Sequence, residues 1–428
     1  MIRHWRLEPN RFLFVSVLCV MLICSVTGLA KEKVTVFYRQ VGPADYEWFF
    51  RQAELFDQQS EQYELDIIEV IPQEYLAKLR VLLLSETPPD IVIWVGPEVA
   101  AEYVPQDLLL DLEPLMLAEP SMSRANFYPN ALDTGRVLGK QFFLPWCIDP
   151  AMLAYNGRLI DEAGLASPAG LAKSKQWTWD TFLAYAKSLT RDVNGDGIPE
   201  VYGYSSRNWN WAPNWLSWIG SNGGSLIDPE KRAALISQPP AYEALQWFAD
   251  LKNVHNVYGG DFLTGTAAMG AGFPSIVSRT SNNVELSVVT HPARRAGMEP
   301  AHYVVSAGAF IVKRGKNNAG AWELLKFLMA NESMADFVQT TKRVPMKRSV
   351  TSLWVQDYQK TTEGAEFAVE AMSAGLPQPY QYPPISTMPM YDIVHAGMNK
   401  LLANQGSAQS IMADVGRQLE AYIASVLE

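Results

Sequence analysis

The residues that most often do chemistry in proteins form no catalytic pattern in this sequence. No nucleophile elbow of the Gly-x-Ser-x-Gly type occurs, and Cys147 has no basic neighbour in the chain. The stretch 135–141 is one residue short of a phosphate-binding loop. No pair with zinc-ligand spacing occurs among the histidines, which are His4, His255, His291, His302 and His395. We therefore expect a protein that is not an enzyme. Two carboxylates that meet only in space would suffice for a glycosidase, so a secreted carbohydrate-active enzyme is the alternative.

One acidic loop has most of the spacing of a calcium site. Oxygen-bearing side chains occupy the first, third, fifth and ninth positions of an EF-hand pattern, and Gly197 is at the sixth. The twelfth position is Gly203, where an EF-hand has a bidentate Glu. Two interpretations of this loop stay open: it holds a structural calcium ion remote from any ligand site, or it is a turn without a metal. No other cofactor is expected. The candidate metal ligands are Asp192, Asn194, Asp196, Ile198 and Glu200.

The content of aromatic residues, Trp above all, is the most unusual feature of the composition. The chain has 13 Trp, 18 Tyr and 17 Phe, and the Trp residues are dense between positions 177 and 218, which raises the question of ligand stacking. Trp215 and Trp218 are three residues apart, would share one helix face, and are predicted to be core. Trp209 and Trp211 precede that helix in a loop-like context, so they are predicted to stack on a ligand.

Alternating strands and helices must position these side chains. Stretches 34–38, 65–70 and 91–95 are strand-like, and apolar residues recur at helical spacing after Asp45 and from Tyr75 onward. This alternation predicts a parallel, doubly wound sheet covered by helices. Ligands of such sheets bind beyond the carboxyl ends of the strands. Arg39, Gln40 and Trp94 are therefore predicted site residues.

The first 30 residues have the layout of a secretory signal peptide. Three arginines precede an apolar run over 12–26, and small residues follow at 28–30. We expect cleavage near Ala30 and a periplasmic protein, with an uncleaved anchor as the alternative. Cys19 and Cys24 lie inside this segment, so Cys147 is alone in the mature chain and no internal disulfide is possible.

Length and charge limit the possible classes further. About 400 residues held without a disulfide suit two domains better than one. The net charge of −10 gives no electrostatic reason to bind nucleic acid or anionic lipid.

From about residue 34 onward, the order of several short motifs resembles the extracellular solute-binding proteins of ATP-driven (ABC) sugar importers, the group that includes maltose-binding protein. Each motif alone is weak evidence for the family, but together the motifs occur in the family's order over almost the whole mature chain. They are PDIVIW (89–94), LDLEPL (110–115), LP (144–145), AYN (154–156), WTWD (177–180), GG (223–224), GTAAM (265–269) and AGAW (319–322).

The resemblance implies an α/β fold of two lobes, each a doubly wound, mostly parallel sheet, joined by a hinge. The first lobe would hold residues 31–142 and 310–350, and the second 143–309 and 351–428. A sugar or other small polar solute would bind in the cleft. The receptor would be a monomer that closes on the solute and delivers it to the permease subunits of the importer. A further alternative is a binding protein that passes its loaded state to a signalling receptor.

The resemblance also implies site residues. A sugar presents a weakly apolar C–H face to aromatic rings and hydroxyls to carboxylates, amides or Arg. Trp94 is where the family often places a stacking aromatic, with packing on the lobe core as the alternative. Asp149 matches a carboxylate position of the maltose-binding branch, Phe273 and Tyr391 fall near cleft aromatics, and Arg348 lies in a loop that resembles one with a cleft-facing Arg.

Overall fold

The computed structural model describes residues 30–206, 212–228, 233–275, 284–360, 362–374, 376–377 and 387–427. Its strands are β1 (Glu32–Arg39), β2 (Tyr63–Val70), β3 (Ile91–Val95), β4 (Arg136–Val137), β5 (Lys140–Gln141), β6 (Leu144–Pro150), β7 (Met152–Asn156), β8 (Tyr202–Ser205), β9 (Ile227–Asp228), β10 (Ala233–Ala234), β11 (Ala267–Gly272), β12 (Leu286–Val289), β13 (Tyr303–Ile311) and β14 (Leu376–Pro377).

The helices cover these sheets. They are α1 (Pro43–Gln59), α2 (Tyr75–Leu83), α3 (Pro97–Tyr103), α4 (Glu113–Ala118), α5 (Pro129–Asp133), α6 (Gly157–Glu162), α7 (Pro168–Lys173), α8 (Trp179–Leu189), α9 (Ala212–Ser221), α10 (Pro239–Asn253), α11 (Asn318–Leu328), α12 (Asn331–Thr341), α13 (Thr351–Tyr358), α14 (Ala365–Ala374), α15 (Thr387–Leu402) and α16 (Ala408–Leu427).

The larger sheet has the order β14-β13-β3-β1-β2, with β6 also paired to β13. Strands β1, β2 and β3 run parallel, as the sequence predicts, and every residue of β3 is buried. A strand that is buried on both faces needs apolar residues at every position, which explains the continuous run at 91–95. The three-strand start of the chain is thus the framework of the first lobe.

The smaller sheet has the order β12-β7-β11-β8 and is mixed. Strand β7 is antiparallel to both β11 and β12, whereas β11 is parallel to β8. The sequence predicted mostly parallel sheets, and the pairing is more mixed in both. The reason is the chain path: β6 passes into β7 through one residue, Ala151, while β13 runs back antiparallel to β6 in the larger sheet.

The ends of two helical regions have local causes. Helix α1 begins at Pro43, two residues before Asp45, with Gly42 as its N-cap, because proline fits the first helical turn. The helical C-terminal region is divided into α15 and α16. Asn404 and Gly406 lie between them with φ values of 56° and 144°, which an α-helix cannot accommodate.

Candidate functional site

The carboxyl ends of β1 and β3 meet at one edge of the larger sheet. Arg39 ends β1, and its Nη1 donates a hydrogen bond to the backbone oxygen of Trp94 on β3 over 3.3 Å. The same guanidinium lies 4.7 Å above the ring of Tyr75. The side-chain amide of Gln40 donates to Glu69 over 3.1 Å at an exposed position. The structure thus joins Arg39 to Trp94 but directs Gln40 toward the neighbouring strand β2.

Trp94 is held in an unusual backbone conformation beneath this edge. Its φ is 61°, in the left-handed region that costs a bulky residue about 1–3 kcal/mol and that often marks ligand sites. The side chain is only 1% exposed. Its ring meets those of Trp48 and Trp146 edge-on, at centroid distances of 6.2 and 5.1 Å. Trp94 therefore packs on the lobe core, and its role as a stacking residue stays a prediction.

A buried ion-pair cluster covers this tryptophan. Arg343 donates from Nε and Nη2 to the two carboxylate oxygens of Asp45, over 2.7 and 3.0 Å, and from Nη1 to Asp149 over 2.7 Å. Its guanidinium lies 5.6 Å from the Trp94 ring centroid. Burial alone lowers the pKa of Arg343, but the Asp149 and Asp45 carboxylates outweigh it and raise the pKa. The guanidinium therefore keeps its charge.

Asp149 lies where the two lobes meet. It is on β6 opposite Val305 of β13, in the larger sheet. Its other carboxylate oxygen accepts a hydrogen bond over 3.2 Å from Ser275, which follows β11 of the smaller sheet. Next to Ser275, the backbone oxygen of Pro274 accepts from the hydroxyl of Tyr358 over 3.3 Å. The predicted hinge carboxylate is thus contacted by groups from both lobes.

Four buried donors in this region have no hydrogen-bond partner within the described part of the protein. They are Tyr38 Oη, Arg39 Nε, Trp94 Nε1 and Trp146 Nε1. All four belong to β1, β3 or β6 of the larger sheet. A buried donor left unpaired costs about 1–3 kcal/mol, so native proteins leave few of them, and each needs an explanation. A ligand with several hydroxyl acceptors would supply one.

Glu98 on α3 and Tyr391 on α15 are close enough for the charge of one to affect the pKa of the other. Burial raises the pKa of Glu98, in the first turn of α3, and the positive charge of Arg39 opposes that rise. Burial also raises the pKa of Tyr391 on α15 well above its usual value, and the negative charge of Glu98 adds to the effect. The Tyr391 ring lies edge-on to Trp215, at 5.7 Å. Tyr391 is thus brought near the strand ends of the first lobe.

Two further predicted site residues have surroundings of their own. Phe273 is half-buried and packs on the small core around Phe262 and Leu286. Arg348 is exposed, with its guanidinium 5.5 Å above the ring of Tyr128. Trp209 and Trp211 lie outside the described residues, whereas Trp215 and Trp218 are fully buried, as predicted for core.

Sequence reasoning missed the ion-pair cluster as a unit. Asp45 and Arg343 are 298 residues apart, and no local pattern marks either one as a partner of the other. No local pattern marks Tyr38 or Trp146 as a candidate site residue either. Their unpaired hydroxyl and indole nitrogen become visible only once the packing around them is known.

The acidic loop at 192–200 is exposed and forms a series of turns. Asp192 accepts from the amides of Gly195 and Gly197, Asn194 from that of Asp196, and Asp196 from that of Ile198. Among the residues that the structure describes, no group of three or more His, Cys, Asp or Glu side chains is arranged to hold a metal ion. Calcium at this loop stays a prediction.

Comparisons with known proteins decide the family. The sequence profile of the family described as "Bacterial extracellular solute-binding protein" matches residues 57–335, more than half of the chain. The chain belongs to this family. The predicted resemblance, and with it the function of a solute-binding receptor, is confirmed.

Individual relatives agree in length and fold with this solute-binding protein. A Brucella abortus (strain 2308) protein named only as a binding protein is 22% identical over 99% of both chains. An ABC substrate-binding protein from Listeria monocytogenes, in complex with cycloalternan, has a TM-score of 0.77 at 18% identity, covering 92% of this chain and 99% of that one. An ABC transporter solute-binding protein from Agrobacterium radiobacter K84, in complex with ribitol, has a TM-score of 0.71 at 19% identity, covering 91% and 98%. The two-lobed fold is confirmed.

The described part of this solute-binding protein contains no helix long and apolar enough to cross a membrane. The family to which it belongs is extracellular, in agreement with the predicted export. The relatives are binding proteins rather than enzymes.

Proposed function

We propose that this protein binds a saccharide or polyol at the junction of its two lobes and delivers it to the permease subunits of an ABC importer. The observation that carries the proposal is the set of unpaired buried donors on Tyr38, Arg39, Trp94 and Trp146. Hydroxyl groups are acceptors without charge, so they can pair with several such donors at once. A neutral polyhydroxyl solute therefore fits this edge of the sheet.

The charges of the ion-pair cluster are already satisfied within the protein. Arg343 is already paired with two carboxylates, so it is not a free cation for an anionic solute. Asp149 and Asp45 are likewise engaged, and both are nearly buried. Similar proteins in complex with cycloalternan and with ribitol support the proposal of a saccharide or polyol.

Several features of the proposal continue predictions made from the sequence. The proposed lobes comprise 31–142 with 310–350 and 143–309 with 351–428. Strands β6 and β13 are the proposed hinge strands, because they belong to the larger sheet although β6 and most of β13 fall within 143–309. Among the residues predicted from the sequence, we place Trp94, Asp149, Tyr391 and Arg39 at the solute. The roles of Gln40, Phe273 and Arg348, and of Trp209 and Trp211 outside the described residues, stay predictions. The mature protein, cleaved near Ala30, acts as a periplasmic monomer.

A thermal-shift screen tests this function. Protein that binds a solute only when folded gains melting temperature as the solute is added. We expect a gain with maltose-type sugars or ribitol-type polyols, and none with glycerol phosphates or polyamines. The sugar should be recovered unchanged from the same tube. A gain with phosphates or polyamines alone would contradict the ligand class, and turnover of the sugar would contradict the receptor function.

A further inference from the structure

A pocket of about 310 Å³ lies between helices α8, α10 and α16, and no residue of the ion-pair cluster lines it. Trp179 of α8 and Trp247 of α10 line it, together with Arg294, which follows β12, and Gln409 near the start of α16. None of the described residues predicted for the solute site lines it. Its volume is at the lower end of the range for small-molecule sites.

Aromatic rings form a rigid wall of this pocket. The rings of Trp179 and Trp247 are 4.4 Å apart between centroids, with an interplanar angle of 31°. Both contact the fully buried ring of Trp218, at 5.7 and 4.9 Å. Trp179 is also buried, whereas Trp247 is only partly covered. A fixed, partly exposed indole is the surface on which the C–H face of a sugar ring packs.

A cationic, an anionic and a neutral polar side chain lie beside these aromatic rings. The Arg294 guanidinium lies 4.8 Å above the Trp179 ring, and it has no carboxylate partner within the described residues. Glu243 is an exposed carboxylate and Tyr242 a partly exposed phenol, and neither is hydrogen-bonded in the described part of the chain. The pocket therefore offers donors and acceptors that are free to pair with a ligand.

Two more polar residues are fixed in place. Gln246 donates to Asp250 over 2.9 Å and accepts from the amide of Ala408, at the start of α16, over 2.9 Å. Asp250 also lines the pocket and keeps acceptor capacity beyond that single bond. The acceptor side of the pocket is thus preorganised by a contact between α10 and α16.

We propose that this pocket is a second binding site, for one neutral saccharide ring, independent of the solute at the lobe junction. The carboxylates of Glu243 and Asp250 would repel an anion, and the Arg294 guanidinium would repel a cation. A sugar ring carries no charge, and its hydroxyls can accept from Arg294 and Tyr242 while donating to Glu243 and Asp250. Its C–H face covers Trp247.

Fluorine NMR of the full protein labelled with 5-fluorotryptophan tests this site. The resonance of Trp247 is assigned by its loss in Trp247→Phe. Titration with methyl α-glucoside should shift that resonance saturably at millimolar concentrations. Glu243→Ala, at an exposed position that folding tolerates, removes one hydrogen bond and should weaken the titration about three- to tenfold. Glu420→Ala, an exposed carboxylate on α16 outside the pocket, is the matched control and should leave it unchanged.

Three outcomes would overturn the proposal. One is a Trp247 resonance that does not respond to the glucoside. Another is a stronger response to tetramethylammonium or inorganic phosphate, which would make the pocket a site for a charged ligand. The third is loss of the response in Arg39→Ala, which alters only the lobe junction and would show that Trp247 reports on the first site. Persistence of the response in that variant supports the second site, even if the proposed function at the lobe junction fails.

Discussion

Arg343 binds Asp149 through a single hydrogen bond of 2.7 Å, while its other nitrogens hold Asp45 in a two-pronged pair. The loop after α12 is thereby fixed both to helix α1 and to strand β6, which leads into β7 of the smaller sheet. Because Ser275 of that lobe also donates to Asp149, the ion-pair cluster links the two halves of the molecule.

We expect Asp149→Asn to lower the free energy of unfolding by about 3 kcal/mol. The substitution leaves Arg343 buried with one carboxylate instead of two, and breaking a buried pair costs far more than breaking an exposed one. Urea unfolding measures the change. Asp414→Asn, which breaks the exposed pair with Arg417, is the matched control and should change stability by less than about 0.5 kcal/mol. Equal effects of the two substitutions would contradict the role given to Asp149.

Tyr38→Phe should have opposite effects on stability and on binding. The Tyr38 hydroxyl is buried without a partner, so its removal should raise the free energy of unfolding of the ligand-free protein by about 1 kcal/mol. Because the same hydroxyl is a proposed ligand contact, the affinity for the solute should fall about tenfold. Chemical unfolding and calorimetric titration measure the two effects.

Tyr204→Phe is the control for that experiment. The Tyr204 hydroxyl is also buried, but it donates to Asn214 over 3.4 Å. Its removal should lower stability and leave the affinity for the solute unchanged. If Tyr38→Phe behaved in the same way, the hydroxyl of Tyr38 would have no role in binding.

Stability should fall as the pH is lowered below about 6.5, because two imidazoles are buried in the neutral form. Burial lowers the pKa of His291 to about 3, helped by the nearby His302, and burial lowers the pKa of His302 to about 4. The folded pKa values lie below the unfolded one, so the unfolded chain binds more protons between pH 6.5 and pH 3–4. Each imidazole should therefore cost about 2 kcal/mol of stability at pH 5 relative to pH 7.5.

Unfolding measured at several pH values checks this dependence. His291→Leu replaces a ring that has no hydrogen-bond partner within the described residues and packs 5.1 Å from Trp218. The variant should have a smaller slope of stability against pH than the parent protein. An unchanged slope would mean that other groups, chiefly carboxylates, control the acid transition.

Cys147 should be inert toward thiol reagents in the folded protein. It is 1% exposed, and burial raises the pKa of its thiol far above the usual value, so almost no reactive thiolate is present at neutral pH. Mass spectrometry of the Cys147 peptide should find it unlabelled by iodoacetamide in buffer and labelled in urea. Cys147→Ala identifies the peptide, and rapid labelling without urea would show that the hinge strand opens.

The sequence by itself determined the local structure and the family. Strand β3 was predictable because a continuous apolar run of five residues fits a sheet that is covered on both faces, and β1 because residues 34–38 are β-branched or aromatic. The helical spacing from Tyr75 onward predicted a helix where α2 (Tyr75–Leu83) forms. Trp215 and Trp218 were recognisable as core from their separation of three, and the ordered short motifs indicated a solute-binding receptor.

Only the tertiary structure decided which side chains meet. Whether Trp94 faces a ligand or a core depends on rings that come from positions 48 and 146, which no local pattern connects to it. The partners of Asp149 lie 126 and 194 residues away in the chain. Periodicity reports which face of an element is buried, but ion pairs and unpaired donors arise from contacts between distant elements. Those contacts exist only after the two lobes have formed.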